Sequence, residues 1–319
     1  MNRVKLTFLP LLLLLGCGEK SPPAETKGSS EQVEAPKSAA GKGTPTVRLL
    51  SAGKDPKVPL RLKVEKGATE SAVMTMTMGM EMTMGVQAFP SPKMPPMQLT
   101  MDIEITDVAA DGDVTYSFKI SEAAVVDDPE VMAAVKEAME EQLQNLVGLS
   151  GNARVTNRGI TKDAKVDFPP GIDPQARQVM ESMKDSIHQF GAPYPVEPVG
   201  EGATWEVLSD ITANGLTLKQ VANFELVALA PDGGTAKVTI TQRADPQVVS
   251  PPGMPPGATM HLKEMNSNGG GETTFAFGRV VPPACSCQME SLMKAKVEAE
   301  GQTQDMTVKM NLLMEMAAE

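Results

Sequence analysis

The chain is poor in the residues from which most catalytic and metal centres are built. Among 319 residues there are two histidines, His188 and His261, which leaves little material for a histidine-built zinc site or a Ser-His-Asp triad. Aromatic residues make up 3 % of the chain, with one tryptophan. Cations are outnumbered, Lys+Arg 29 against Asp+Glu 40 for a formal charge of −11. That balance argues against nucleic acid, whose phosphates call for clustered cations. Nucleophile motifs, phosphate-cradling glycine loops and zinc-ligand spacings are all missing, so the chain reads as non-enzymatic. Methionine, by contrast, is in large excess at 23 residues, and the hydrophobic fraction of 41 % is enough for a core.

No hydrophobic run is long enough to span a bilayer, which takes about 20 residues. The apolar stretch Leu6 to Leu15, interrupted by Thr7 and Pro10, follows the cations Arg3 and Lys5, the charge layout of a secretory signal. It ends in Leu14-Leu15-Gly16-Cys17, which resembles the lipobox of bacterial lipoproteins. The resemblance implies removal of residues 1–16, a diacylglycerol on the Cys17 sulfur and an acyl chain on the new amino terminus. No other cofactor is expected. Several acyl chains anchor a protein stably where one does not, so the membrane becomes a partner through Cys17. Cleavage takes Arg3 and Lys5 with it, and the more acidic body that remains relies on its acyl chains rather than on anionic lipid. Gly18 stands where inner-membrane lipoproteins of Gram-negative bacteria carry aspartate. In a cell with two membranes the expected address is therefore the outer membrane, facing the periplasm.

Residues 17–46 hold Pro, Gly, Ser, Lys and Glu with almost nothing to bury, and read as a disordered tether with a reach of roughly 30 Å. The rest, 47–319, is one β-rich domain. Period-two alternation marks strands at Val58–Val64, Met97–Ile105 and Val114–Ile120, with a turn at Asp111-Gly112 and further turns at Asn214-Gly215 and Asn268-Gly269-Gly270-Gly271. A last hairpin pairs Met289–Ala299 with Met306–Met316 around Gly301. Two helices are expected. The first runs from an Asp128 cap and Pro129 to Gly148, with Met132, Val135, Met139, Leu143 and Leu146 on one stripe. The second repeats the punctuation from Asp173-Pro174 to Gly191. Gly67-Ala68-Thr69 and Gly202-Ala203-Thr204 each open a strand, which leaves open a duplication into halves 47–165 and 166–319, against coincidental strand–turn chemistry. The expected fold class is α+β: a large curved antiparallel sheet of roughly ten strands, like an incomplete barrel, with two amphipathic helices on one face.

Residues 73–86 read VMTMTMGMEMTMGV. In a strand, Met74, Met76, Met78, Met80, Met82 and Met84 share one face, joined by Met97 and Met101 from the next strand. Three readings of that face stand open. It is a core in which Met replaces Leu and Val, a soft-walled cavity for a lipid or other apolar ligand, or a Cu(I) trap, since soft thioethers select that ion. Cys285 and Cys287, two residues apart, are candidates for a disulfide in an oxidising compartment, for two unpaired buried thiols, or for a metal site with Met289 and Met293 nearby. His261 is expected at the surface, His188 solvated, and Trp205 at a sheet edge.

A lipobox, a polar tether and many antiparallel strands with two helices resemble the lipid-handling lipoproteins of the LolA, LolB and LppX type, whose incomplete barrel has helices across its mouth. The stretch Tyr194–Trp205, YPVEPVGEGATW, is similar to one that recurs in uncharacterised bacterial lipoproteins. The resemblance implies a periplasmic protein that holds an apolar ligand between sheet and helices or meets an envelope protein. Copper binding through the thioethers and the cysteine pair is the alternative.

Overall fold

The structure, a computed structural model, describes residues 44–89, 93–167, 193–213, 216–249, 258–299 and 301–319. Cys17, most of the tether, the second expected helix with His188, and the Asn214-Gly215 turn lie outside the described residues. Alternating apolar and polar residues produce long strands here: β2 (Thr69–Met84), β4 (Met97–Val108), β5 (Val114–Val125), β8 (Thr204–Ala213), β9 (Leu216–Ala230), β10 (Gly233–Ala244), β12 (Thr259–Ala276), β13 (Ala284–Ala299) and β14 (Gln302–Ala318). Shorter strands are β1 (Thr46–Ser51), β3 (Gln87–Phe89), β6 (Ser150–Val155), β7 (Thr161–Asp167) and β11 (Gln247–Val249). All fourteen form one antiparallel sheet in the order β1-β8-β9-β10-β12-β13-β14-β2-β4-β5-β6-β7, with β3 beside β2 and β11 beside β12. Two meanders, β2 to β7 and β8 to β14, are thus joined where the last strand pairs with β2, and the sheet stays open between its edges β1 and β7.

The ends of this sheet are drawn toward each other by backbone. Residues 52–68 run as a strap: Lys54 N–H donates to Glu201 O, Val58 pairs with Val199, Leu62 N–H donates to Asn157 O and Lys63 N–H to Phe277 O. Val58–Val64 is therefore not the strand its alternation predicts. Pro59 has no N–H for a ladder, and the alternation instead records Leu60 and Val64 dipping into the core while Lys63 stays exposed. The Tyr194–Trp205 stretch is gripped from the far edge. Arg61 donates from Nη1 to Pro195 O and from Nη2 to Val196 O, and Arg158, on the β6–β7 turn, donates from Nε to Tyr194 O. Trp205 lies on β8, inside the edge strand β1. It is fully buried, stacks on Phe224 at 5.2 Å and donates from Nε1 to Pro193 O.

The two Gly-Ala-Thr motifs make matching hydrogen bonds. Gly67 N–H donates to Ile105 O while Ile105 N–H donates to Ala68 O; Gly202 N–H donates to Leu226 O while Leu226 N–H donates to Ala203 O. Both glycines have positive φ, 85° and 77°, a conformation that side chains resist.

Among the described residues one helix is present, α1 (Ala133–Gln144). It starts five residues after the expected cap. Asp128 turns its carboxylate to Glu130 N–H and to Lys93 instead, an Asx turn that competes with helix. Met132 is left at the cap position with no side-chain bond. The expected turn at Asn268–Gly271 is instead the middle of β12, paired on both sides with β10 and β13. At Gly269 a Cβ would press on Gln288 O and Met289 Cα, so glycine permits a close strand approach there.

Candidate functional site

β2 is extended throughout, and its even-numbered residues all turn to the inner face of the sheet. Met76, Met78 and Met82 are buried, while Met74, Met80 and Met84 are half-buried. The register then shows what surrounds them. Met76 stands between Met97 on β4 and Met314 on β14, Met74 between Leu99 and Met316, and Met80 beside Met310. Met84 faces Met306, while Met78 and Met82 face Leu312 and Val308. Met97 is buried, and half-buried Met101 pairs with Ala72 and Ile120. The next strand inward from β14 presents Cys285 opposite Met316, Cys287 opposite Met314 and Met289 opposite Leu312. The sulfur-bearing surface thus extends across β4, β2, β14 and β13.

This surface runs through three apolar clusters. Met76, Met78, Met97, Cys287, Met289 and Met314 share the first with Trp205, Phe224 and Phe275. Met82, Met293 and Met310 belong to the second with Leu218, Met260 and Met265. Met101 and Met316 pack on the third, around Ile103 and Ile105. Between the first two lies a polar row that sequence reading missed. From Met80 and Met310 the register continues through Ser291, Ser267 and Gln242 to Gln220. Ser291 Oγ donates to Ser267 Oγ at 2.8 Å and Gln242 Nε2 donates to Gln220 Oε1 at 2.8 Å. Ser267 and Gln242 are each 1 % exposed. Isolated polar residues in alternating strands carry no local signal of this kind; only the register assembles them.

Over the first cluster lies α1, which buries only Met139 and Leu143 and packs Val135 partly against the same residues. Met132, expected on its apolar stripe, is 64 % exposed. Apart from that stripe the helix is solvated, and Gln144 Nε2 ties it to the sheet by donating to Ala123 O at 3.3 Å.

Cys285 and Cys287 are thiols in an extended strand. Two residues of strand separate their Cα atoms by about 6.6 Å and hold their Cβ atoms well beyond the roughly 3.8 Å of a disulfide. His261 is at the surface, with Nε2 3.7 Å from Glu298. Among the described residues the buried carboxylates are answered by the fold: Asp113 by Arg154 and Lys162 at 2.9 and 2.6 Å, Glu70 by Arg279 and by the N–H groups of Val280 and Val281. Burial, helped by the Glu70 charge, pushes the Tyr116 phenol up to about 12, and burial alone pushes Tyr194 higher still. The surface depression of about 840 Å³ beside β2, β4, β5 and β6 is bordered by Asp102, Glu104, Lys119 and Asn152 and by no methionine.

Neither a protein-family model nor a curated protein matches this chain. The functional reading therefore rests on the residues and their geometry. Among the described residues no helix is long and apolar enough to cross a membrane.

Proposed function

We propose that this chain is a non-enzymatic, lipid-anchored protein of the cell envelope, tethered through Cys17 to the outer membrane and holding an amphiphilic lipid-like ligand between the methionine face and α1. The observation that carries this reading is the pairing, on one inward face, of soft apolar side chains with a single buried Ser/Gln row. Ligand sites are mostly apolar with a few polar groups that fix orientation, and methionine re-packs around irregular shapes at low cost. The acyl chain would lie along Met74, Met76, Met78 and Met97. Its polar end would meet Ser291, Ser267 and Gln242. Entry would follow displacement of α1, whose hold on the sheet through Met139 and Leu143 is slight for a 12-residue helix.

The address is supported by the lipobox and by the polar stretch that follows it. Cys17→Ser should release the chain from the membrane fraction and remove the acyl mass from its amino-terminal peptide. Ligand binding is tested by titrating the full chain with a long-chain fatty acid bearing an environment-sensitive fluorophore. A saturable emission rise at about one probe per chain, displaced by unlabelled fatty acid, is expected; a linear, non-displaceable signal refutes the ligand reading.

A further inference from the structure

We infer that Cys285, Cys287, Met314 and Met316 form a Cu(I) site, separate from the apolar-ligand reading and independent of it. The four residues occupy the corners of one block on the inner face. Cys285 stands directly opposite Met316 and Cys287 directly opposite Met314, on neighbouring antiparallel strands. Directly opposed Cα atoms are about 4.5–5.5 Å apart, and residues i and i+2 about 6.6 Å. Thioether side chains with three rotatable bonds span such a block easily. Met74 and Met76 extend the same two rows on β2, so a third thioether is within one strand of either pair.

The donor chemistry selects the ion. Thiolate and thioether are soft ligands, which favour Cu(I) over hard cations. Among the described residues no three His, Cys, Asp or Glu side chains gather where a metal ion could sit, so the block offers zinc or calcium no ligand set of the usual kind. On binding, one thiol gives its proton to solvent, and the resulting thiolate with Cu(I) is a neutral pair. The other donors, the second thiol and the two thioethers, are uncharged, so the ion enters a largely buried place without leaving net charge there. Cys285 is half-buried, so one donor of the block stays within reach of solvent.

The test is anaerobic titration of the full chain with Cu(I), delivered as its acetonitrile complex against a chromophoric Cu(I) chelator. Retention of about one Cu(I) per chain through gel filtration is expected. Met314→Leu with Met316→Leu, a volume-conserving pair of changes, should weaken retention at least tenfold with the melting temperature little changed, and Cys285→Ser with Cys287→Ser should abolish it. No retained copper, or retention untouched by both double variants, overturns the site. Because the buried Cys287→Ser change can itself unfold the chain, a second measurement uses the unaltered protein. Cu(I) loading should slow alkylation of Cys285 by iodoacetamide, read on the peptide by mass spectrometry, and equal labelling with and without copper overturns the site as well. Fatty-acid binding without copper retention refutes this inference alone, and the reverse refutes only the ligand reading.

Discussion

Met132 sits at the N-cap of α1 with φ −62° and ψ 133° and contributes no capping hydrogen bond. The backbone there is already in the extended conformation that a capping residue needs, so Met132→Asp or Met132→Ser supplies the missing acceptor without moving the chain. A good cap is worth about 1 kcal/mol relative to a residue that cannot cap, and Asp adds a favourable charge at the positive end of a helix with no acidic residue in its first turn. The gain matters because little else fastens the helix. Burial of Met139 and Leu143 brings about 1.5–3 kcal/mol each, set against the ordering of 12 residues. Local opening of α1 should therefore become about fivefold rarer, since 1.4 kcal/mol is a factor of ten. Native-state hydrogen exchange should show protection rising by that factor across the α1 amides and not in β12 or β13. Release of a bound fluorescent fatty acid should slow in parallel. Exchange that slows while ligand release is unchanged would refute α1 as the cover of the site, and unchanged exchange would refute the capping argument.

Other outcomes follow from the same geometry. Gly67→Ala and Gly202→Ala should each cost about 1–2 kcal/mol in denaturant unfolding, and by similar amounts, because both glycines have positive φ and neither has an atom within 4 Å of a Cβ; very unequal costs would argue against equivalent loops. Trp205→Ala should lose about 3–5 kcal/mol, given its full burial, its stack on Phe224 and its bond to Pro193 O. The chain's whole tyrosine content is Tyr116 and Tyr194, both pushed up by burial. A phenol with a raised native pKa binds its proton more tightly when folded, so stability falls as pH climbs above the usual value of about 10. Absorption titration should show almost no tyrosinate at pH 10 in the folded chain, with ionisation arriving only near pH 12 or with unfolding; half-ionised tyrosine at pH 10 would contradict the burial of both rings.

Much of this architecture was legible in residue order alone. The stripe Met74–Met84 alternates too strictly for a helix, and the last hairpin around Gly301 formed as its periodicity predicts. Local readings failed where another local interaction competed. Asp128 binds Glu130 N–H and Lys93 rather than capping a helix, Pro59 prevents a ladder in an alternating segment, and the expected turn at Asn268–Gly271 lies inside a strand whose neighbour leaves no room for a Cβ at Gly269. The candidate site was only half visible. Its methionines are periodic, but the pairing of β14 with β2, and so the meeting of Met314 with Met76, joins the end of the chain to an early strand. Nothing local specifies that partner, and the buried Ser/Gln row depends on the same long-range register.

The most direct test of the central claim is native mass spectrometry of the full chain released gently from the membranes of its host. The account predicts a covalent acyl mass on the peptide that begins at Cys17, together with a non-covalent lipid-sized mass that organic extraction removes while leaving the chain folded. A chain that carries no removable lipid, and takes none up when offered fatty acid, would contradict it.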